Sequence, residues 1–400
     1  MTRSGRYVKQ LEGYRAFIPA PLPPDPDVQY DAELTQLLSD ADRALGRLDG
    51  VASILPNPDL FVAMYVRQEA VLSSQIEGTQ STLEDVLAYE ADPQYRDTPQ
   101  DVEEVVNYVR AMNHGLRRLD EFPLSLRLIR EIHGQLLEGV RGEERTPGEF
   151  RRSQNWLGPE GCTLGTASFV PPPVGEMHDA LDNLEKFLHD DSRYPILVHC
   201  GLAHAQFETI HPFLDGNGRV GRLLITLLLC QRGVLQRPLL YLSHYFKAHR
   251  AQYYDRLTAI RHDGDWEGWL RFFLRGVAEV SDAATETARA ILELRERHRA
   301  TVSETLSNNA YALPLLDYLF EVPIVSVRMV ERHLDCAFAT ANKLVEQFVA
   351  LGLLSEITGG KRNRRFRYDP YLALFEASTQ LPATEEAVSQ EIETTGSDAP

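Results

Sequence analysis

Residues 211–222 read His-Pro-Phe-Leu-Asp-Gly-Asn-Gly-Arg-Val-Gly-Arg, which puts an imidazole, a carboxylate, an amide, two guanidiniums and three glycines into twelve positions. Together these types suit the handling of a polyphosphate. His211 is the candidate general base, because imidazole titrates near neutrality and can accept a proton from a hydroxyl. Asp215 is the only carboxylate of the loop, and Mg²⁺ prefers a hard oxygen ligand of this kind. Gly216 and Gly218 let the backbone approach a phosphate closely and adopt positive φ, with Gly221 in the same cradle. Asn217 can donate an amide hydrogen bond to a phosphate oxygen, and Arg219 and Arg222 bring forked donors. The apolar run 223–230 suits a buried helix, so the loop empties into a helix N-terminus, where free N–H groups and the dipole favour an anion. No Gly-Lys-Ser/Thr follows, which excludes a Walker loop, and the dinucleotide fingerprint is missing.

At every specified position this segment resembles the Fic-domain signature HPFx(D/E)GNGRxGR. The resemblance implies transfer of AMP from ATP to a Ser, Thr or Tyr hydroxyl of a target protein, and auto-modification as well. It implies that Asp215 holds Mg²⁺ on the α- and β-phosphates and that Arg222 engages the γ-phosphate. A kinase-like branch of the family carries Lys at the second motif glycine. This chain has Gly218 there, which favours AMP transfer. Upstream, Ser73-Ser-Gln-Ile-Glu77-Gly78 resembles the family's inhibitory pattern (S/T)xxxE(G/N). Ser73 and Glu77 lie i and i+4 on one helix face, and Glu77 paired with Arg222 would occupy the guanidinium meant for the γ-phosphate. Residues 147–173 resemble the flap that lays a target segment beside the site by strand addition. Tyr253 or Tyr254 would line the adenine pocket.

The elements that must position these residues are mostly helices. Apolar residues recur at helical intervals over 61–76, with Gly78 as a C-cap and Ser81-Thr-Leu-Glu84 as a capping box for the next helix. Helical pattern continues from Val102, over 126–137, 174–189 and 194–210, and from Tyr253 to about Arg299. The first thirty residues end in a proline-rich run that should be extended. Residues 147–173 mix Pro, Gly, Asn and Ser with Trp156, Leu157, Phe169 and Val170, the composition of a hairpin or lid. His199 and His204 precede the base, but their spacing does not give the one-face His-x-x-x-His that zinc uses, so packing is expected. Trp266 and Trp269 read as core.

Polarity rises over 303–309, marking a linker. Beyond it, three amphipathic segments and two strand-like runs around Gly359-Gly360 resemble a winged helix-turn-helix by pattern. Its tip carries Lys361, Arg362, Arg364, Arg365 and Arg367. The expected fold is therefore mainly α: a helical Fic core with a short β-hairpin flap and a C-terminal winged helix-turn-helix domain. The expected units are an N-terminal helical region with the inhibitory motif (1–120), the catalytic core (121–300), the winged-helix module (305–375) and a disordered acidic tail (376–400).

Hydrophobic residues at 43% and charged residues at 25% are ordinary for a globular chain, and its 400 residues suggest more than one compact unit. No apolar stretch is long enough to span a bilayer, and the start lacks a signal-peptide apolar region. Four scattered cysteines without a CxxC pair read as free thiols, which points to the cytoplasm. The net charge of −17 argues against nonspecific nucleic-acid binding by the whole chain. A second reading keeps the core as a nucleotide sensor and makes residues 305–375 a DNA-binding output. The sequence leaves open whether the protein forms a homodimer and whether Glu77 acts within one chain or across two.

Overall fold

The computed structural model describes residues 2–53, 58–91, 99, 101–159, 161–190, 193–359 and 364–378. The acidic tail beyond Ser378 and the tip residues Gly360, Lys361 and Arg362 lie outside the described residues.

The chain opens with an antiparallel hairpin, β1 (Gly5–Lys9) and β2 (Arg15–Pro19), which the sequence pattern did not reveal. Helices follow: α1 (Ala32–Ser53), α2 (Pro58–Ile76), α3 (Leu83–Ala91), α4 (Val102–Leu119) and α5 (Leu126–Leu136). After the flap come α6 (Val174–Leu188), α7 (Ile196–Ile210), α8 (Asn217–Gln231), α9 (Ser243–Ala248), α10 (Arg250–Asp263) and α11 (Trp266–Thr305). The C-terminal part runs α12 (Ala312–Glu321), β3 (Ile324–Ser326), α13 (Val327–Leu334), α14 (Phe338–Ala350), β4 (Ser355–Glu356), β5 (Arg365–Arg367) and α15 (Asp369–Ser378). Its strands form an antiparallel sheet of order β3-β5-β4.

Burial explains the arrangement. Every residue of α7 from Leu197 to Ile210 is buried, the mark of a central helix rather than a surface one. The next helix, α8, is buried over all but its ends and packs on α7, α4 and α5. The 40-residue α11 lies along α1 and presents Trp266, Trp269, Phe273 and Val280 inward. Burying side chains of this size stabilises by about 1.5–3 kcal/mol each. Apolar residues from Leu22 to Phe375 form one contiguous core. It passes from α2 into the C-terminal part through Tyr65 and Phe375, whose ring centroids are 5.6 Å apart.

Several local expectations are corrected. The capping box opening α3 is Thr82 with Asp85, one residue later than Ser81 with Glu84. Thr82 N–H donates to the Asp85 carboxylate at 2.8 Å and Asp85 N–H donates to Thr82 Oγ1 at 3.2 Å, while Ser81 Oγ bonds Asp101 instead. The helix expected from Tyr253 breaks at Gly264, with φ +73°, and restarts at Asp265, whose side chain accepts from Gly268 N–H at 2.9 Å. Helix α11 then runs into the first three residues of the expected linker, to Thr305, because Ile291, Leu294, His298 and Val302 keep a buried face. Among the described residues of the flap, strand pairing amounts to one bridge, Leu157 to Phe169, made by two hydrogen bonds of 2.8 and 3.1 Å.

Candidate active site

Helix α7 ends on His211 in the left-handed conformation, φ +50° and ψ +61°, with its N–H bonded to Phe207 O at 2.9 Å. Glycine is the usual residue there, and a side chain costs about 1–2 kcal/mol. Hydrogen bonds from the base of the flap offset that cost. Arg151 Nε and Asn155 Nδ2 both donate to His211 O at 3.1 Å, and Arg151 N–H donates to Pro212 O at 2.9 Å. Asn155 Nδ2 also reaches Phe213 O at 2.8 Å. Neither residue was singled out from the sequence, since their partners are backbone carbonyls about sixty positions away.

The loop then folds back on itself. Phe213 N–H donates to Asn217 Oδ1, and Asn217 Nδ2 donates to Phe213 O, both at 2.9 Å. The oxygen and one N–H of the Asn217 amide are therefore engaged within the loop. Gly216 adopts φ +76° and opens α8, leaving the first-turn N–H groups without intrahelical partners. Beneath this turn, His133 of α5 stacks on Phe213 at 3.7 Å, accepts Gly148 N–H at Nδ1 and donates from Nε2 to Asp215 O at 3.1 Å. Burial pushes its imidazole down to about 4, so it is a neutral support and not a base.

Asp215 turns its carboxylate to the surface side of the loop, with 39% of the side chain exposed. Oδ1 accepts Gly216 N–H at 2.6 Å, and Oδ2 lies 2.9 Å from where a Cβ on Gly142 would stand. Gly142, at φ +94°, is thus required for Asp215 to sit where it does. An exposed carboxylate beside unpartnered N–H groups fits a Mg²⁺ ion that keeps most of its ligands as water and phosphate oxygen. Among the described residues no group of three or more His, Cys, Asp or Glu side chains could hold a metal on its own. Arg219 is 1% exposed and bonds Glu104 of α4 at 3.0 Å, with Asp215 at 3.8 Å, so it ties the loop to α4.

Arg222 is the guanidinium that meets the Ser73–Gly78 segment. Its Nε donates to Ser73 Oγ at 2.8 Å, and Nη2 donates to Ser73 O at 3.0 Å and to Glu77 Oε1 at 2.6 Å. Ser73 and Glu77 sit on and just past the last turns of α2, and Gly78 closes that end at φ +101°. A Cβ on Gly218 would stand 2.3 Å from Glu77 Oε1, so the second motif glycine makes room for this carboxylate. Burial raises the Glu77 carboxyl, but the charge and hydrogen bond of Arg222, with Arg219 and His211, together hold the group below the usual carboxylate range. Burial lowers Arg222 and Glu77 raises it, with a net rise. His211 is pushed down to about 4 by burial, with Arg261 and Arg151 adding to the shift, so it is a neutral acceptor at pH 7.

The two tyrosines separate. Tyr253 is 1% exposed, stacks on Phe246 at 4.5 Å and shares its hydroxyl with His204 Nε2 at 2.9 Å, which places it in the core and away from a base pocket. Tyr254 is 38% exposed with Arg250 over its ring at 5.4 Å, and it alone of the pair is available to a nucleotide base. His204 Nδ1 bonds Gly221 O at 2.8 Å and His199 stacks on Phe187 at 4.3 Å, both packing roles.

Residues 35–117 match the Fic/DOC family N-terminal region and residues 123–229 match the Fic/DOC family itself, so the second match contains the whole cradle. The chain carries a Fic domain. A protein adenylyltransferase Fic from Aedes aegypti is 33% identical over 178 residues, which are 44% of this chain and 31% of that protein. Its counterpart from Drosophila ananassae is 32% identical over 167 residues, 41% of this chain and 29% of that protein. These matches span about a third of the relatives' length. A Fic family protein from Desulfovibrio desulfuricans G20 has the same fold, with a TM-score of 0.54 at 19% identity over 85% of this chain and 97% of that one. The Fic/DOC match thus contains α5, α7 and nearly all of α8 of the cradle's frame, and most of α4 falls in the N-terminal match.

Proposed function

We propose that this Fic-domain protein is an ATP-dependent protein adenylyltransferase held inactive by Glu77. The observation that carries the reading is the placing of a neutral His211 at the mouth of an open helix N-terminus whose Arg222 is already paired with a carboxylate at 2.6 Å. The target hydroxyl gives its proton to His211 while its oxygen bonds to the α-phosphorus, the bond from that phosphorus to the bridging oxygen breaks, and pyrophosphate leaves. The first-turn N–H groups of α8 stabilise the phosphate charge, and Arg222 orients the γ-phosphate once Glu77 withdraws. When bound at Asp215, Mg²⁺ supplies further charge neutralisation. Extended backbone of a target pairs beside the Leu157–Phe169 bridge of the flap 147–173.

The DNA-binding alternative receives less support. Residues 305–375 carry eight Lys or Arg against seven Asp or Glu. Of the basic tip, Arg364 bonds Asn342 and lies by Glu346 and Glu356, Arg365 is 5% exposed and donates to Ala88 O, and Arg367 pairs with Glu84 and Asp369. Those three are engaged by protein groups before any phosphate arrives. A mobility-shift assay at low salt tests this reading, and tight binding that weakens steeply with salt would restore it.

The test of transfer uses ATP labelled on the α- or the γ-phosphate with wild type, Glu77→Gly, and Glu77→Gly with His211→Ala. The expected result is α-label on protein in the single variant, lost in the double by about 10²-fold or more. γ-Label on protein would mean phosphoryl transfer instead and overturn the proposal.

A further inference from the structure

Glu208 stands three residues before His211, on the last turn of α7, and the reaction outlined above leaves it without a role. Its side chain is 9% exposed, and Oε1 has no hydrogen-bond partner among the described residues. The chain makes room for it: a Cβ on Gly221 would stand 2.4 Å from Oε1. Opposite it, His211 Nδ1 is also buried without a hydrogen-bond partner, and Glu208 Oε2 lies 4.0 Å away. Two buried polar atoms of complementary capacity are each left unsatisfied, which is unfavourable away from water. That separation is longer than a hydrogen bond, so the pair meets only if the Glu208 side chain turns.

We propose that Glu208 is a positioning residue for the base: its carboxylate accepts the Nδ1–H of His211 and so fixes the tautomer that leaves Nε2 unprotonated. The use of Nε2 as the acceptor of the hydroxyl proton rests on the adenylyltransferase reading. That proton goes to Nε2, the Nδ1 proton stays on the ring, and Glu208 stabilises the imidazolium without taking a proton itself. The groups facing Glu208 are Arg222 of α8, Glu77 beyond α2, and Arg261, Tyr253 and Tyr254 of α10. Those acting on His211 are Arg261, Arg151 of the flap and Glu77. Burial pushes the Glu208 carboxyl up to about 7, Arg222 and Arg261 pull it down, and Glu77 adds to the rise. Withdrawal of Glu77 therefore favours the ionised, accepting form, so one movement frees Arg222 and readies the base. The competing acceptor is the Glu208 backbone, which also favours a proton on the ring.

The test reads the His211 tautomer by ¹⁵N NMR of histidine-labelled full-length protein without ATP, the signal being assigned by difference against His211→Ala. Glu77→Gly is expected to show one tautomer with Nε2 unprotonated, and Glu77→Gly with Glu208→Leu a mixture. In parallel, kcat for AMP transfer should fall about tenfold or more in the Glu208→Leu variant, with KM for ATP within about twofold. Glu208→Gln keeps shape and removes charge, so its kcat should fall less and the acid limb of its pH profile should move to lower pH. That limb also provides the reading if Glu208→Leu does not fold. An unchanged tautomer and kcat in Glu208→Leu would assign the role to the backbone and overturn the proposal, as would an unmoved acid limb in Glu208→Gln. A tautomer that depends on Glu208 in a protein with no AMP transfer would leave the dyad standing and sink the adenylyltransferase reading alone.

Discussion

Two clusters of arginine, one in the cradle and one at the C-terminal hairpin, look alike in the sequence and behave differently in the structure. In both, carboxylates of the N-terminal helices reach across to the guanidiniums. Arg222 meets Glu77 and Arg219 meets Glu104, while Arg367 meets Glu84. Between the ion-paired arginines the difference is burial; Arg365, the buried member of the hairpin, donates to a backbone carbonyl, Ala88 O, instead. Arg222 is 2% exposed at the side chain, whereas Arg367 is 31% exposed and Glu84 46%. A buried cation stripped of its partner keeps an unpaid desolvation cost and recruits another anion. An exposed one is solvated by water. A basic run therefore marks a ligand site only where the fold has removed the water.

That contrast can be broken at several points. In a Glu77→Gly background, Arg222→Ala should reduce AMP transfer by about 10²-fold, the scale of losing a buried charge-assisted contact. Arg367→Ala should leave the rate within about twofold, and equal losses in a steady-state rate assay would erase the distinction. Asn155→Ala removes donors from two carbonyls beside the strained base, so it should lower stability by about 1–3 kcal/mol in urea unfolding and lower kcat along with it. Glu84→Ala should cost no more than about 1 kcal/mol by the same measure. The smallest effect concerns pH. Glu77 has a depressed carboxyl, so its pairing with Arg222 is fully present above the ordinary carboxylate range and is lost only as pH falls through the lowered value. The ratio of Glu77→Gly to wild-type rates should thus not fall between pH 8 and pH 6, and a ratio that collapses at the acid end would contradict the pairing.

What the sequence showed and what it hid follow one physical rule. Residues that gather at the candidate site were legible where they were contiguous, as in 211–222, or where a helix repeat put them on one face, as with Ser73 and Glu77. The supports were not legible. His133, Arg151 and Asn155 act on backbone carbonyls of the loop, and a carbonyl leaves no trace in residue type. Asn217 was read as a phosphate donor because an amide is one, and its two-way bond to Phe213, four residues back, went unseen. Charge at 364–367 was visible, but its partners on α3 were not, since the pairing joins segments nearly 280 residues apart. The opening hairpin is short and has no turn signature strong enough to stand out.

The central claim is that one contact, Glu77 on Arg222, separates an idle site from a working one. Its most direct test is the initial rate of pyrophosphate release with ATP and Mg²⁺ by wild-type protein and by Glu77→Gly, each with and without His211→Ala. The account predicts a rise of about tenfold or more in Glu77→Gly, abolished when His211 is removed. Equal rates in wild type and Glu77→Gly would show that the contact is no brake and contradict the account.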